Sequence, residues 1–273
     1  MRAAEWINLL AFSFYLLLAR YRRLKGRRLA TVMGLGAAGL AATLAAAYLL
    51  PRLLPPLAAS ITRDWLPYPL LLILYWQTGQ FFDRTDQALQ LRLERIDRRT
   101  VLPLLEWCGR HRAAGWLIAY FEMAYLFCYP CVPLSLMTIY LLRRGSQADH
   151  FWTTVLGATY LCYGAIPFIQ TLPPRINGHE WIVPAPARRL HHVNRWVLRR
   201  ASIHANTFPS AHAASSTACA LALLRLDPGP GMLFLALAAS ISAGAVLGRY
   251  HYLADVVLGA AVAGAVFLLQ TRG

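Results

Sequence analysis

The chain has 273 residues, of which 58% are hydrophobic and only 14% are charged. A soluble domain carries roughly 25% charged residues, so this composition indicates an integral membrane protein and excludes an ordinary soluble enzyme. The net charge of +15 comes from 27 Lys and Arg against 12 Asp and Glu. Because the basic residues lie in connections between apolar runs, we expect contacts with membrane lipids and none with nucleic acid.

A helix that crosses the roughly 30 Å hydrocarbon core of a bilayer needs about 20 apolar residues. The chain contains six apolar runs of sufficient length, at residues 29–50, 113–142, 151–171, 208–225, 231–248 and 251–270. Residues 5–20 and 67–82 form two shorter runs. The sequence therefore predicts six to eight spans in an all-α, polytopic membrane helix bundle.

Two long polar connections interrupt these runs. Residues 83–112 place Leu89, Leu93 and Ile96 at helical spacing among charged residues, which predicts an amphipathic helix lying in the membrane interface. Residues 172–207 contain several prolines and six arginines. We expect this second connection to begin without a helix, since proline breaks helical hydrogen bonding.

The apolar run at 113–142 contains two features that could carry chemistry, and for both we favour a role in packing. Cys128 and Cys131 form a CYPC pair, yet no second pair or nearby histidine completes a zinc set. We therefore expect no metal and no other cofactor, and the cysteines to pack between helices. Glu122 lies within the same run, where an ionisable residue is a functional candidate. We favour the alternative that it is a buried partner of an arginine or tyrosine.

Short links join the last three predicted helices. The LDPGPG turn (226–231) and the GRYH link (248–251) are too short to do more than reverse the chain. A chain that crosses, turns and crosses back returns to its starting side. The sequence thus predicts that polar clusters meet at one membrane face: Arg175, then Ser210 and His212, then Arg249, His251 and Asp255.

His251 and Asp255 are four residues apart, so on a helix they share a face and can touch. A carboxylate bound to one imidazole nitrogen fixes the tautomer and makes the other nitrogen more basic. This arrangement suits a nucleophilic or general-base histidine. The alternative is a structural polar pair at the start of a helix, where an Asp favours the N-terminus.

Ser210 and His212 lie in the PSAH segment, in the first turn of the next predicted helix. The free N–H groups of a first turn bind phosphate oxygens well. Ser210 could donate a hydrogen bond, and His212 could give a proton to a leaving oxygen. The alternative is helix capping by Thr207 or Ser210 beside an uninvolved histidine.

Arg175 and Arg249 are candidates for phosphate binding, because arginine stays charged and can contact phosphate bidentately. Phosphate esters hydrolyse extremely slowly without a catalyst, so the charge that develops on their oxygens needs fixed cationic donors. The alternative for each arginine is a contact with lipid headgroups.

The segments PSAH and RYHYLAD resemble the second and third signature motifs of the type-2 phosphatidic acid phosphatase superfamily, and TLPPR resembles the end of its first. The resemblance implies a six-helix catalytic core with N-terminal additions: residues 113–273 form the core, and residues 1–112 form N-terminal membrane helices and an interfacial helix. It also implies metal-independent removal of phosphate from a lipid phosphate or diphosphate.

The resemblance assigns a role to each candidate residue. His251 would form a phosphohistidine, Asp255 would orient it, and His212 would protonate the leaving group. Arg175 and Ser210 would bind the phosphate, and Arg249 could replace an arginine that the family usually has at the position of Ala245.

The chain also departs from the usual family pattern. Phe168 stands where a lysine is usual, and Ala211 stands where the second motif has glycine. The form FPSxHA…HYxxD is closer to the branch that contains aureobasidin-sensitive inositol phosphorylceramide synthases. A lipid headgroup phosphotransferase is therefore an alternative function, and a non-catalytic membrane transporter or scaffold is a third.

The loop charges and the resemblance disagree about orientation. If all eight runs crossed, the connections on the side of the site would hold 6, 7 and 6 Lys and Arg, against 2 and 2 opposite. The positive-inside rule would then place the site in the cytoplasm, whereas the resemblance implies an extracytoplasmic site. If residues 67–82 do not cross, both can hold. We expect a multi-pass protein of a bacterial inner membrane with an outward-facing site.

Overall fold

The computed structural model describes residues 1–176 and 183–272, and this part of the chain is helical with no β-strand. Its α-helices are α1 (Ala3–Tyr21), α2 (Gly26–Tyr48), α3 (Leu50–Leu53), α4 (Pro56–Trp65), α5 (Pro67–Gly79), α6 (Gln87–Arg110), α7 (Arg112–Leu126), α8 (Cys131–Leu141), α9 (Ala148–Ala165), α10 (Arg188–Ala201), α11 (Ala211–Leu226), α12 (Pro228–Leu247) and α13 (Leu253–Arg272). The predicted all-α membrane bundle is confirmed. Residues 177–182 of the predicted polar connection lie outside the described residues.

Fewer helices than predicted are long and apolar enough to cross a membrane. In the described part of the chain four qualify: Ala3–Tyr21, Gly26–Tyr48, Pro228–Leu247 and Leu253–Thr271. The short run at 5–20 is therefore one of the better candidates. The run at 67–82 yields only the 13-residue α5, which begins at Pro67 directly after α4.

The predicted span at 113–142 is not one continuous helix, because the chain bends by 71° between α7 and α8. The break falls at residues 127–130, which overlap the CYPC segment at 128–131. Pro130 has no N–H to donate, so helix α7 ends before it and α8 begins at Cys131. The pair counts as a fifth candidate span if its two helices are taken together.

Helices α9 and α11 are not among these candidate spans, although the runs at 151–171 and 208–225 were predicted to span. Helix α11 has only 16 residues, and the 18-residue α9 carries Asp149 in its first turn. Both lie inside the bundle, where α11 packs against α8, α9, α12 and α13. Most of α11 is buried, including Ala214 and Ala218 at 0% exposure. A helix enclosed by protein needs small side chains for close approach more than it needs lipid-facing hydrocarbon.

The predicted amphipathic helix exists as α6, and Asp86 caps it by accepting the Leu89 N–H. Its buried side differs from the predicted one. Leu93 is buried, but Ile96 is 43% exposed. The buried stripe instead includes the polar Gln90 and Asp97, because both side chains find partners in the bundle.

Close contact between α7 and α12 yields a test of the packing. A Cβ added at Gly244 would lie 2.3 Å from the backbone oxygen of Phe121, and a backbone atom cannot move without separating the helices. We expect Gly244→Ala to destabilise the protein by about 1–3 kcal/mol in thermal unfolding in detergent. The matched control is Gly264→Ala, where nothing lies within 4 Å. Equal melting temperatures for the two variants would contradict this packing.

Candidate active site

The three polar clusters meet, as the sequence predicts, and the backbone holds them together. Three N–H···O=C bonds join the segments pairwise: Asn206 to Thr171 (2.9 Å), Arg175 to Arg249 (3.0 Å) and Ser210 to Asp255 (2.9 Å). The side chains of these segments are therefore fixed relative to one another by main-chain contacts.

His251 and Asp255 form the predicted pair. Nδ1 of His251 lies 3.3 Å from Oδ2 of Asp255, so a proton on Nδ1 leaves the lone pair of Nε2 free for chemistry. Asp255 is fully buried, and the same oxygen accepts hydrogen bonds from the backbone N–H of Tyr252 (2.9 Å) and the side-chain amide of Asn206 (2.8 Å). Three donors thus hold the carboxylate in place.

The protonation state of His251 suits a nucleophile. This residue lies in the link between α12 and α13, outside both candidate spans. Burial, helped by the positive charge of Arg175, lowers the pKa of His251 to about 3. The lowered pKa keeps the imidazole neutral near pH 7, so its lone pair is available.

His212 and Ser210 lie at the N-terminus of α11. The ring of His212 meets the ring of His251 edge-on, with centroids 5.7 Å apart, and both rings line the same cavity. Ser210 is fully buried and caps the helix, since its side chain accepts the Ala213 N–H at 3.4 Å. Ala211 lines the cavity but Ser210 does not, so the capping alternative describes the contact that Ser210 makes.

The two arginines occupy different environments. Arg175 lines the cavity and its Nη1 donates to the Tyr250 carbonyl at 3.3 Å. Arg249 is buried at 3% exposure and is absent from the cavity wall, because its guanidinium forms an ion pair with Asp97. Of the predicted phosphate-binding arginines, only Arg175 faces the cavity.

Asp97 of α6 contacts both sides of the His251 link. One carboxylate oxygen pairs with Arg249, and the other accepts the Leu253 N–H at 3.2 Å. Burial raises the pKa of Asp97, while the Arg249 charge opposes that rise. Gln90, two turns earlier, binds the backbone of the first polar segment by accepting the Leu172 N–H at 3.0 Å.

Sequence reasoning missed Asp97 and Gln90 because both lie on a helix that was assigned to the interface. Asn206, which donates to Asp255, was also given no role. The available signal was spacing, since residues 90, 93, 97 and 101 fall on one helical face. The two polar members of that face would have marked it as a protein contact.

A second polar network supports the site from behind. Glu122 is buried at 1% exposure and accepts from the Tyr250 hydroxyl and the Asn194 amide, each at 2.7 Å; His191 Nδ1 lies equally close. The favoured interpretation of Glu122 as a buried partner is confirmed. Because Tyr250 stacks on Tyr125 at 4.2 Å, this network also fixes the aromatic wall beside His212.

Phe168 and Ala245, two positions that depart from the family pattern, lie in different surroundings. Phe168 is 58% exposed, with the Arg22 guanidinium 5.5 Å from its ring centre. Ala245 contributes its backbone, whose carbonyl accepts the N–H groups of Tyr250 and His251, each at 2.9 Å. It therefore helps to form the turn that carries the histidine.

The cavity joins a polar end to an apolar wall. It measures about 200 Å³, and its polar end contains His251, His212 and Arg175. Tyrosine, leucine and tryptophan side chains supply most of the remaining wall. The arrangement can bind an anion next to a hydrocarbon group. Among the described residues, no group of three or more His, Cys, Asp or Glu side chains could hold a metal ion.

A family model described as the PAP2 superfamily matches residues 91–269, about two thirds of the chain. The match begins within α6 and ends within α13, so α1–α5 lie outside it. No curated protein and no solved structure gives a significant match. The division of the chain at residues 112 and 113 stays a prediction.

Proposed function

We propose that this chain, which belongs to the PAP2 superfamily, hydrolyses a lipid phosphate or diphosphate through a phosphohistidine on His251. Membership supports phosphatase-type chemistry on phosphate esters. The observation that carries the finer proposal is the His251–Asp255 pair facing the same cavity as His212. A purely structural pair would not need a second histidine and a cation beside it.

In the first step, Nε2 of His251 attacks phosphorus and the bond from phosphorus to the leaving oxygen breaks. The bound phosphate is an anion and favours protonation of His212, which gives that proton to the leaving oxygen. The leaving group departs as the lipid alcohol or as the lipid monophosphate. Asp255 holds the Nδ1 proton and stabilises the positive charge that the imidazole gains. Each proton and charge therefore has a defined position.

In the second step, a water molecule attacks the phosphohistidine, and the bond between phosphorus and nitrogen breaks. His212, now unprotonated, accepts the proton of the water, and inorganic phosphate leaves. Arg175 binds the phosphate oxygens through both steps. If a lipid alcohol replaces the water, this intermediate gives phosphate transfer. Headgroup transfer needs a phosphodiester substrate, whose headgroup stays bonded to phosphorus in the histidine adduct.

The direct test uses purified protein in detergent with phosphatidic acid and a prenyl diphosphate, with and without an acceptor alcohol. We expect release of inorganic phosphate, and a loss of about 10³-fold or more in His251→Ala, because the nucleophile is absent. His192→Ala is the control, since His192 is an exposed histidine of α10. Phosphate release that survives in His251→Ala would contradict the mechanism. Transfer of a headgroup without phosphate release would support the transferase instead.

The role of His212 predicts a dependence on the leaving group. His212→Ala should lower kcat/KM for an alkyl phosphate by about 10²–10⁴-fold. The loss should be at least about tenfold smaller for p-nitrophenyl phosphate, because nitrophenolate leaves without a proton. Steady-state kinetics on the two substrates measure this ratio. Equal losses on both would show that His212 is not the general acid.

The Asp97–Arg249 pair predicts separate effects on turnover and stability. Because this pair orients the link that carries His251, Asp97→Asn should lower kcat about 10- to 100-fold with little change in KM. It should also destabilise the protein, since Arg249 remains as an unpaired buried charge. Arg95→Gln, at an exposed position of α6, is the control.

The double variant Asp97→Asn/Arg249→Gln separates orientation from folding. It removes both buried charges, so much of the lost stability should return. The link that carries His251 still lacks its contact with a charged residue 97, so kcat should stay low. A kcat that recovers together with the melting temperature would assign the pair to stability alone.

A further inference from the structure

The wall of the cavity opposite the histidines comes from a helix outside the family match. Helix α5 ends at Gly79, whereas the match begins at residue 91. Five of its side chains line the cavity: Tyr68, Leu71, Leu72, Tyr75 and Trp76. The N-terminal part of the chain therefore completes a cavity whose polar end belongs to the matched region.

Helix α5 is fastened to the polar segment that leads into the site. The hydroxyl of Tyr75 accepts the Ile203 N–H at 3.1 Å, and the indole N–H of Trp76 donates to the Ala201 carbonyl at 3.1 Å. A Cβ at Gly79 would lie 2.5 Å from the Ile203 side chain, so the two chains touch closely. The wall thus has a fixed position relative to Asn206 and the histidines.

The side chains of this wall are suited to contact a hydrocarbon chain. Helix α5 has no charged residue in its sequence PYPLLLILYWQTG. The hydroxyl of Tyr68 is already bonded to the Tyr129 carbonyl at 3.2 Å, and that of Tyr75 is used as described. The lining therefore presents leucine side chains and aromatic faces, which bind by removing apolar surface from water.

We propose that α5 is the specificity wall for the hydrocarbon chain attached to the substrate phosphate, and that Leu72 lies along that chain. The proposal rests on the proposed function, because the polar end of the cavity sets where the phosphate lies. An apolar cavity of 150 Å³ holds one benzene ring. The cavity here, at about 200 Å³ and lined largely by apolar and aromatic side chains, therefore suits a slender chain segment beside the phosphate.

The experiment compares straight-chain alkyl phosphates from methyl to hexadecyl, and branched ones, on the unaltered protein and three variants. In the unaltered protein, kcat/KM should rise by about fourfold for each methylene that contacts the wall and then level off. In Leu72→Trp, which fills the cavity, the rise with chain length should be at least about tenfold smaller overall, while methyl phosphate, which has no chain to contact the wall, changes little. Leu72→Ala, which widens the cavity, should shift the preference toward branched chains.

Leu17→Trp is the matched control, because Leu17 is a 72% exposed residue of α1. Comparing variants at each chain length cancels the partitioning of substrate into detergent. A chain-length profile of Leu72→Trp that parallels those of the control and the unaltered protein overturns the proposal.

A binding measurement separates this proposal from the proposed function. Dodecyl phosphonate cannot be hydrolysed, and its binding is followed by calorimetry. We expect Leu72→Trp to weaken this binding at least about tenfold relative to Leu17→Trp. Equal binding by the two variants overturns the proposal that α5 contacts the hydrocarbon chain, even if the protein releases phosphate. If the unaltered protein releases no phosphate but Leu72→Trp binds dodecyl phosphonate more weakly, the hydrolase proposal fails and the proposal for α5 is supported.

Discussion

The site depends on three main-chain hydrogen bonds that join segments from different parts of the sequence. Each segment, 171–175, 206–210 and 249–255, is bonded to another through backbone atoms. Side-chain substitution cannot remove such bonds directly, so the arrangement tolerates changes such as Ala211 for glycine. Inside a membrane protein these bonds also satisfy the polar groups of non-helical backbone, which would otherwise be costly in a water-poor environment.

The sequence predicted this convergence because short links determine which helix ends share a side. The pair His251 and Asp255 was likewise visible from a spacing of four residues. Among the described residues, fewer helices than predicted have the length and hydropathy of a lipid-facing span, because the bundle holds two kinds of helix: those that face lipid and those enclosed by other helices. Helix α11 belongs to the second kind, since it is packed on several sides by protein.

Asp97 is easily overlooked in the sequence because basic residues surround it. Arg95, Arg98 and Arg99 make this part of α6 resemble a solvated face. Only the packing of α6 against α13 turns the carboxylate inward to Arg249 and Leu253. An acidic residue within a basic helix thus acts on the link that carries His251, from outside every recognised motif.

The same contact explains why Arg249 is an arginine. Its φ of +61° is a conformation that side chains with a Cβ adopt at a cost of about 1 kcal/mol or more. Strain of this kind persists only where the surroundings fix it. Here Arg175 binds the carbonyl of Arg249, while Asp97 binds its guanidinium. The charge therefore holds a strained turn that directs His251 into the cavity, and in the proposed mechanism phosphate binding at that end falls to Arg175.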